Sequence, residues 1–140
     1  MTRQAVGVDV GGTKIAALRI GEDGRVLERL TAQTPATDQE AVVREMATAA
    51  AALASDEVVA VGVGAAGLVD RAGVVRYSPN IAWRDMPVRE RMSAASGLPC
   101  VVENDASMAG VDSITLSYTL FAAPESRDSA GSDRRAGPAG

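Results

Sequence analysis

Residues 5–14 read Ala-Val-Gly-Val-Asp-Val-Gly-Gly-Thr-Lys, and this stretch decides the fold. Its first six residues form a short run rich in valine, which predicts a strand over Ala5–Val10. Gly11 and Gly12 then allow a tight reversal into a second apolar run, Ile15–Ile20. The stretch therefore predicts a β-hairpin at the start of the domain.

The segments that follow the hairpin predict an α/β domain with a mixed sheet. Val26–Leu30 predicts a third strand that completes an antiparallel meander, and Val58–Val63 has the continuous apolar character of a strand buried on both faces. Between them, the spacing of Thr37 and Glu40 is typical of a capping box. Behind this box, apolar residues recur at helical intervals at Val42, Met46, Ala49 and Leu53.

The next part of the chain predicts a second helix and another strand. Pro87 suits the first position of a helix, and Gly97 suits the residue just past its end. One face between them carries Val88, Met92 and Ala95. Pro99–Val102 predicts a strand, and the residues after it predict a third helix capped by Asn104 or Asp105. The resulting order, β-β-β-α-β-α-β, favours an α/β layer over a bundle or a sandwich.

Bulk composition excludes several classes of function. The 140-residue chain has a net charge of −4 and no Lys/Arg-rich run, which disfavours nucleic acid as a partner. It has no histidine and one cysteine, Cys100, which rules out imidazole bases, an intrachain disulfide and most zinc sites. No apolar stretch approaches the roughly 20 residues that span a bilayer, and no signal-peptide pattern precedes the first strand. We therefore expect a cytoplasmic protein that has no membrane partner.

The turn after the first strand has the composition of a phosphate site. Gly11 and Gly12 let backbone N–H groups approach an anion closely, and Thr13 and Lys14 add a hydroxyl and an ammonium donor. Asp9, at the end of the strand, suits a magnesium ion held through water. Taken alone, the same residues also fit an ordinary hairpin turn.

In its motifs the chain resembles the ROK family of sugar kinases, and within that family the glucokinase branch. The family's Asp-x-Gly-Gly-Thr-Lys motif is matched at every fixed position by Asp9–Lys14. Further segments match in the family's order and spacing: Gly62–Asp70, Ser78–Ile81 with Trp83, and Val102–Ala106. The resemblance covers residues 5–109 and implies an actin-like ATPase, ribonuclease-H-like fold.

The resemblance implies a role for each chemistry-bearing residue. Asp105 is implied as the general base, which takes the proton from the sugar hydroxyl as it attacks the γ-phosphate of ATP. Asn80 and Asn104 are implied as sugar-binding amides, with Gly67 beside the same pocket. ATP and Mg²⁺ are the implied cofactors, with the phosphates at Asp9–Lys14. Read without the family, Asn104 and Asp105 also fit a helix cap, and Asn80 a turn.

The implied activity is ATP-dependent phosphorylation of glucose to glucose 6-phosphate. Family enzymes have a second lobe with a sugar-contacting Glu and His, a zinc cluster and further nucleotide contacts, none of which this sequence contains. We therefore expect residues 1–110 to form an N-terminal lobe with little or no activity alone, and residues 111–140 a divergent, disordered tail. The alternatives are a lobe for another hexose, such as fructose or an N-acetylated amino sugar, and a non-catalytic sugar-binding or interaction fragment. Family members commonly form homodimers, which the resemblance also implies.

A second motif points to a different class of protein. Gly62-x-Gly64-x-x-Gly67 has the spacing of a dinucleotide-binding fingerprint and follows a buried strand. That fingerprint needs a helix to begin at its third glycine, whereas residues 68–75 predict a strand, a turn and a strand. No stretch has Walker spacing, and only eight residues precede Asp9, too few for the DNA-binding segment of the family's repressors. The sequence thus favours a kinase-type site over a dehydrogenase or a repressor.

Overall fold

The hairpin predicted at the start of the chain lies at the centre of the structure. The computed structural model of the chain describes residues 3–104, with eight strands and two helices in that range. In chain order these are β1 (Gln4–Val10), β2 (Lys14–Gly21), β3 (Val26–Gln33), α1 (Gln39–Ala52), β4 (Val58–Ala65), β5 (Leu68–Val69), β6 (Val75–Tyr77), β7 (Arg84–Met86), α2 (Val88–Ser96) and β8 (Cys100–Asn104). The helix predicted after Asn104 lies outside the described residues.

The main sheet has five strands in the order β3-β2-β1-β4-β8. The first three strands form the predicted antiparallel meander, while β4 pairs parallel with β1 and β8 pairs parallel with β4. Val10 lies opposite Ala65, and Ala65 lies opposite Asn104, so three parallel strands end at one edge of the sheet. We call this edge the carboxyl edge. The predicted mixed sheet is confirmed.

The predicted order of elements is wrong in one respect, because it omits three short strands between β4 and α2. β5, β6 and β7 form a separate antiparallel sheet between β4 and α2. The strand, turn and strand predicted over residues 68–75 correspond to β5 and β6. β7 had no prediction, because its three residues are too few for an alternating pattern to reveal it.

A carboxylate holds the turn between β5 and β6. Asp70 accepts hydrogen bonds from the N–H groups of Ala72 and Val74, each at 2.9 Å. Its other oxygen accepts a hydrogen bond from Arg76 Nε at 3.0 Å. The hydrogen bond from Val74 is the largest of the effects that lower the pKa of Asp70 below its ordinary value. Asp70 therefore stabilises the small sheet as an anion.

Helix α1 begins at a different cap from the one predicted. The N-cap is Asp38, whose carboxylate accepts hydrogen bonds from the N–H groups of Glu40 at 3.1 Å and Ala41 at 3.0 Å. Thr37 lies one residue earlier and is exposed, so the capping-box prediction is wrong about the capping residue. The predicted apolar face is confirmed, since Val42, Met46, Ala49 and Leu53 are all buried.

Helix α2 ends as predicted but differs at its start and in part of its buried face. Gly97 adopts a left-handed conformation with φ of 74° just past the helix, while Pro87 is the N-cap rather than the first helical residue. Val88 and Met92 are buried, whereas Ala95 is exposed. The reason is that Ala95 lines an apolar cavity of about 150 Å³ near the ends of α1 and α2, instead of packing in the core.

The core lies between the main sheet and the two helices, and the small sheet contributes to it. Trp83 is fully buried there, and its Nε1 donates a hydrogen bond to the backbone carbonyl of Gln39 at 3.1 Å. Trp83 is therefore a core residue. Burial also raises the pKa of the Cys100 thiol to about 12.

Neither helix within residues 3–104 is long and apolar enough to cross a bilayer.

The position of the cap gives a test of the fold. We expect Asp38→Ala to lower the free energy of unfolding by about 1 kcal/mol, because two N–H groups at the start of α1 lose their acceptor. Asp38→Asn should retain most of the stability, since asparagine is an equally good cap. Urea denaturation measures both variants. Thr37→Ala is the matched control, and a loss there as large as that of Asp38→Ala would contradict the assignment.

Candidate functional site

The carboxyl edge of the main sheet brings the predicted site residues into one region. The turn at residues 11–14 follows β1, Gly67 comes two residues after β4, and Asn104 ends β8. Since Val10, Ala65 and Asn104 are aligned across the three strands, these features share one end of the sheet. Ligands of open α/β sheets commonly bind outside the carboxyl ends of parallel strands.

The turn at residues 11–14 is braced from β3. Gly11 N donates to the Lys14 carbonyl at 3.0 Å and closes the turn. Thr34, just past β3, donates from its hydroxyl to the Gly11 carbonyl at 2.8 Å and from its N–H to the Thr13 carbonyl at 3.0 Å. Sequence reasoning missed Thr34, because the predicted third strand ended at Leu30, whereas β3 continues to Gln33 beside Lys14.

This turn presents hydrogen-bond donors and a positive charge to solvent. Within residues 3–104, the N–H groups of Gly12 and Thr13 have no hydrogen-bond acceptor. The side chains of Thr13 and Lys14 are both exposed. Lys14 is also the only lysine in the whole sequence. Successive backbone N–H groups beside an ammonium form an anion-binding concavity, so the turn has the chemistry that a phosphate requires.

Close contact with Asn80 explains one of the two glycines in the turn. A β-carbon placed on Gly12 would lie 2.6 Å from Asn80 Cβ and 3.0 Å from the Asn80 carbonyl oxygen. Gly12 does not have a positive φ, so it is the available space and not the backbone conformation that requires glycine. The contact brings the anion-binding turn against an exposed amide that the family resemblance assigns to sugar binding.

A second contact joins Gly67 to Asn104. The Nδ2 of Asn104 donates a hydrogen bond to the carbonyl of Gly67. Gly67 has φ of 129°, and a β-carbon on it would lie 2.0 Å from the Tyr77 carbonyl oxygen. Both the conformation and the crowding therefore require glycine. The side-chain amide of Asn104 is thus oriented by a backbone that no other residue type can reproduce.

Two aspartates, Asp9 and Asp105, complete the set of predicted site residues. Asp9 is exposed on β1, and its register partners are Ala16 and Gly64. No group of three or more His, Cys, Asp or Glu side chains within residues 3–104 is placed to hold a metal ion. A magnesium ion beside Asp9 would therefore need phosphate oxygens and water as its other ligands. Asp105, the predicted base, lies outside the described residues, directly after Asn104.

The geometry disagrees with a dinucleotide-binding site. Gly67 is followed by β5 and not by a helix, so no helix N-terminus is available there for a pyrophosphate. The expectation of a strand after this glycine is confirmed. Gly62 and Gly64 instead lie within strand β4. Gly67 follows that strand, where close contact with Tyr77 leaves no space for a side chain.

The contact between Gly12 and Asn80 can be tested by adding one methyl group. We expect Gly12→Ala to lower the free energy of unfolding by about 1–3 kcal/mol, because its β-carbon overlaps Asn80 and the chain must shift. The side-chain amide resonances of Asn80 should move in a two-dimensional NMR spectrum. Gly11→Ala is the matched control, since its β-carbon meets only the Lys14 carbonyl, at 3.3 Å. Equal stability of the two variants with unmoved Asn80 resonances would contradict the geometry.

Comparison with known proteins supports the motif resemblance. The sequence matches the ROK family over residues 5–123. It is 49% identical over 106 residues to a glucokinase of Streptomyces coelicolor, covering 74% of this chain and 33% of that protein. It is 28% identical over 104 residues to an N-acetylmannosamine kinase of Shigella boydii, covering 73% of this chain and 36% of that protein. The chain thus spans about a third of the length of these relatives.

Solved structures give the same result for the fold. The crystal structure of a ROK family glucokinase from Streptomyces griseus, in complex with glucose and AMPPNP, matches with a TM-score of 0.71 and 44% identity. The match covers 76% of this chain and 35% of that one. It confirms the predicted α/β, actin-like ATPase fold class. Because the family match extends over most of the sequence, the chain belongs to the ROK family of proteins.

Proposed function

We propose that this chain is the N-terminal part of an ATP-dependent glucose kinase, with residues 1–110 as its lobe. The observation that supports this best is the contact between Gly12 and Asn80, which joins an anion-binding turn to an amide-bearing loop. A kinase needs this arrangement, since the phosphate donor and the acceptor hydroxyl must be held next to each other. The glucokinase relatives at 49% and 44% identity favour glucose as the acceptor.

In this proposal the turn at residues 11–14 holds the phosphates of ATP. The N–H groups of Gly12 and Thr13 donate to phosphate oxygens, and the hydroxyl of Thr13 adds a third donor. Lys14 neutralises charge on the phosphates. Mg²⁺, held through water by Asp9, supplies further charge neutralisation to the transferring group when it is bound.

The sugar is held by Asn80 and Asn104, with the backbone at Gly67 as the third element. An amide suits a sugar because it offers a donor and an acceptor to neighbouring hydroxyl groups. The hydrogen bond from Asn104 to Gly67 orients one amide, and the packing of Asn80 on Gly12 orients the other. Both amides are therefore positioned before the sugar binds, which reduces the entropy cost of binding.

Asp105 is the proposed general base. It follows Asn104 directly, at the end of the strand that carries the oriented amide. Its carboxylate accepts the proton of the sugar hydroxyl as the hydroxyl attacks the γ-phosphate. In a loose transition state for phosphoryl transfer, the carboxylate acts mainly by orienting the nucleophile.

We expect the 140-residue chain to have little activity alone. Transfer of the phosphoryl group to sugar rather than to water requires a closed site that excludes solvent. The region matched by this chain makes up only 33% and 36% of the two relatives that carry the kinase names. The N-acetylmannosamine kinase at 28% identity keeps an N-acetylated amino sugar as the second candidate for the acceptor. Homodimer formation and a cytoplasmic location stay predictions.

The phosphate site can be tested chemically, because Lys14 is the only lysine of the sequence. We expect an acyl-phosphate derivative of ATP to acylate Lys14, since its reactive carbonyl lies at the phosphate end of the nucleotide. Peptide mass spectrometry reads the modification, with the N-terminal amine as the internal reference. Excess ATP should protect Lys14 without protecting the N-terminus. Equal modification of the two amines, or protection of neither by ATP, would exclude a phosphate site here.

The activity can be tested in a hybrid enzyme. In it, residues 3–109 of this chain replace the matching segment of the Streptomyces coelicolor glucokinase. We expect glucose-dependent ADP release from the hybrid, and a loss of about 10²–10⁴-fold with Asp105→Asn, the range typical of general bases. N-acetylmannosamine is the control acceptor, and the 140-residue chain alone should stay at the Asp105→Asn background. A hybrid that folds but gives equal rates with Asp105 and Asn at this position would refute the proposed base.

A further inference from the structure

Thr34 lies between the end of β3 and the start of α1, and its hydroxyl, its N–H and its carbonyl each make a hydrogen bond. The hydroxyl donates to the Gly11 carbonyl at 2.8 Å, and the N–H donates to the Thr13 carbonyl at 3.0 Å. The carbonyl of Thr34 accepts a hydrogen bond from the N–H of Ala36 at 2.9 Å. Thr34 is also half-buried. Its position is therefore fixed within the folded chain, before any ligand binds.

The segment that follows Thr34 is constrained and is tied to the loop that carries Asn80. Pro35 has a fixed φ, and the hydrogen bond from Ala36 to the Thr34 carbonyl closes a three-residue γ-turn around it. The carbonyl of Ala36 accepts a hydrogen bond from the N–H of Ala82 at 2.8 Å, two residues after Asn80. Thr34 is thus held from two sides, by the anion-binding turn and by the amide-bearing loop.

The hydrogen bond to Gly11 determines the direction of one donor in the turn. The carbonyl of Gly11 and the N–H of Gly12 belong to the same peptide group, which is planar and trans. These two groups point to opposite sides of the chain, so a Gly11 carbonyl held by Thr34 directs the Gly12 N–H away from Thr34. Within residues 3–104 that N–H has no acceptor. Because a glycine lies on each side of this peptide group, the group would rotate easily without such a restraint.

We propose that Thr34 is a positioning residue whose hydroxyl directs the N–H of Gly12 at a phosphate oxygen of the nucleotide. The inference rests on the phosphate site proposed above for residues 11–14. Gly11 and Gly12 let the backbone approach an anion, and Thr34 removes the conformational freedom that these glycines bring. A donor that is oriented in advance costs less entropy on binding. The hydroxyl of Thr34 therefore strengthens phosphate binding without being a ligand itself.

The experiment measures ATP binding by the ¹⁵N-labelled 140-residue chain in an NMR titration. Thr34→Val keeps the branched shape and the N–H of Thr34 but removes the hydroxyl. We expect it to shift the Gly12 amide resonance of the ligand-free chain and to raise the Kd for ATP roughly three- to tenfold, the effect of one hydrogen bond. Thr34→Ser, which keeps the hydroxyl, should restore most of the affinity. Thr31→Val, the same change at an exposed threonine of β3, is the control that should alter neither readout.

A second pair of variants keeps the test independent of the packing of valine. Thr34→Ser and Thr34→Ala differ only in the hydroxyl, so the alanine variant should have the higher Kd for ATP by a similar factor. Unshifted amide resonances in α2 verify that each variant folds. A merely structural role for Thr34 predicts lower stability with an unchanged Kd.

Two outcomes would overturn the inference. The first is that Thr34→Val leaves both the Gly12 resonance and the Kd for ATP at their native values. The second is that only one of the two changes, which separates the direction of the Gly12 N–H from phosphate binding. A failure of the proposed phosphate site is visible separately, as the absence of ATP-induced shifts at Gly12 and Thr13 in the unmodified chain, and it would also remove the inference. None of these readouts uses phosphoryl transfer, so they are distinct from the kinase assay in the hybrid enzyme.

Discussion

The parallel pairing of β1, β4 and β8 is the constraint on which the rest of the structure depends. Because Val10, Ala65 and Asn104 are in register, the segments that leave these three strands start from one edge. A shift of one residue in either pair would turn alternate side chains to the opposite face of the sheet. The valines that face the helices, such as Val6, Val8 and Val63, fix this register by their burial. Hydrophobic packing thus determines the geometry of polar groups that lie outside the core.

Glycine is used in two different ways at this edge. Gly67 combines a positive φ with crowding against Tyr77, so both its conformation and its lack of a side chain are needed. Gly12 needs only the lack of a side chain, because Asn80 occupies the space where a β-carbon would project. In both cases the backbone comes close to a residue distant in sequence. The glycines therefore connect the hairpin and the small sheet to the carboxyl edge.

Much of the fold and part of the site could be predicted from the sequence. The meander, α1 and the buried strand β4 were predicted because their apolar patterns extend over several residues. The cap at Asp38 was missed, since two neighbouring residues can both cap and only the backbone conformation decides between them. Of the small sheet, β5 and β6 were predicted as a strand, a turn and a strand, whereas β7 was missed because its three residues are too few to show a pattern. Thr34 was missed for another reason: its hydrogen bonds to the turn join residues more than twenty positions apart.

The motif residues were found by a different route. Asn80 and Asp105 fit a turn or a cap equally well, and only the family resemblance gave them chemical roles. The contacts of Gly12 with Asn80 and of Gly67 with Asn104 could not be derived from local sequence at all. They depend on strand pairing and on the path of the loop after β4. The division of the chain at residue 110 stays a prediction, as does the role of Asp105.

The burial of Cys100 has a consequence for the chemistry of the whole chain. Because burial raises its pKa to about 12, the thiol of Cys100 stays protonated at neutral pH. Oxidants and electrophiles react with the thiolate, so the folded domain offers them almost no target at its only cysteine. The same packing that places β8 against β4 therefore keeps the thiol of Cys100 protonated and out of reach of oxidants.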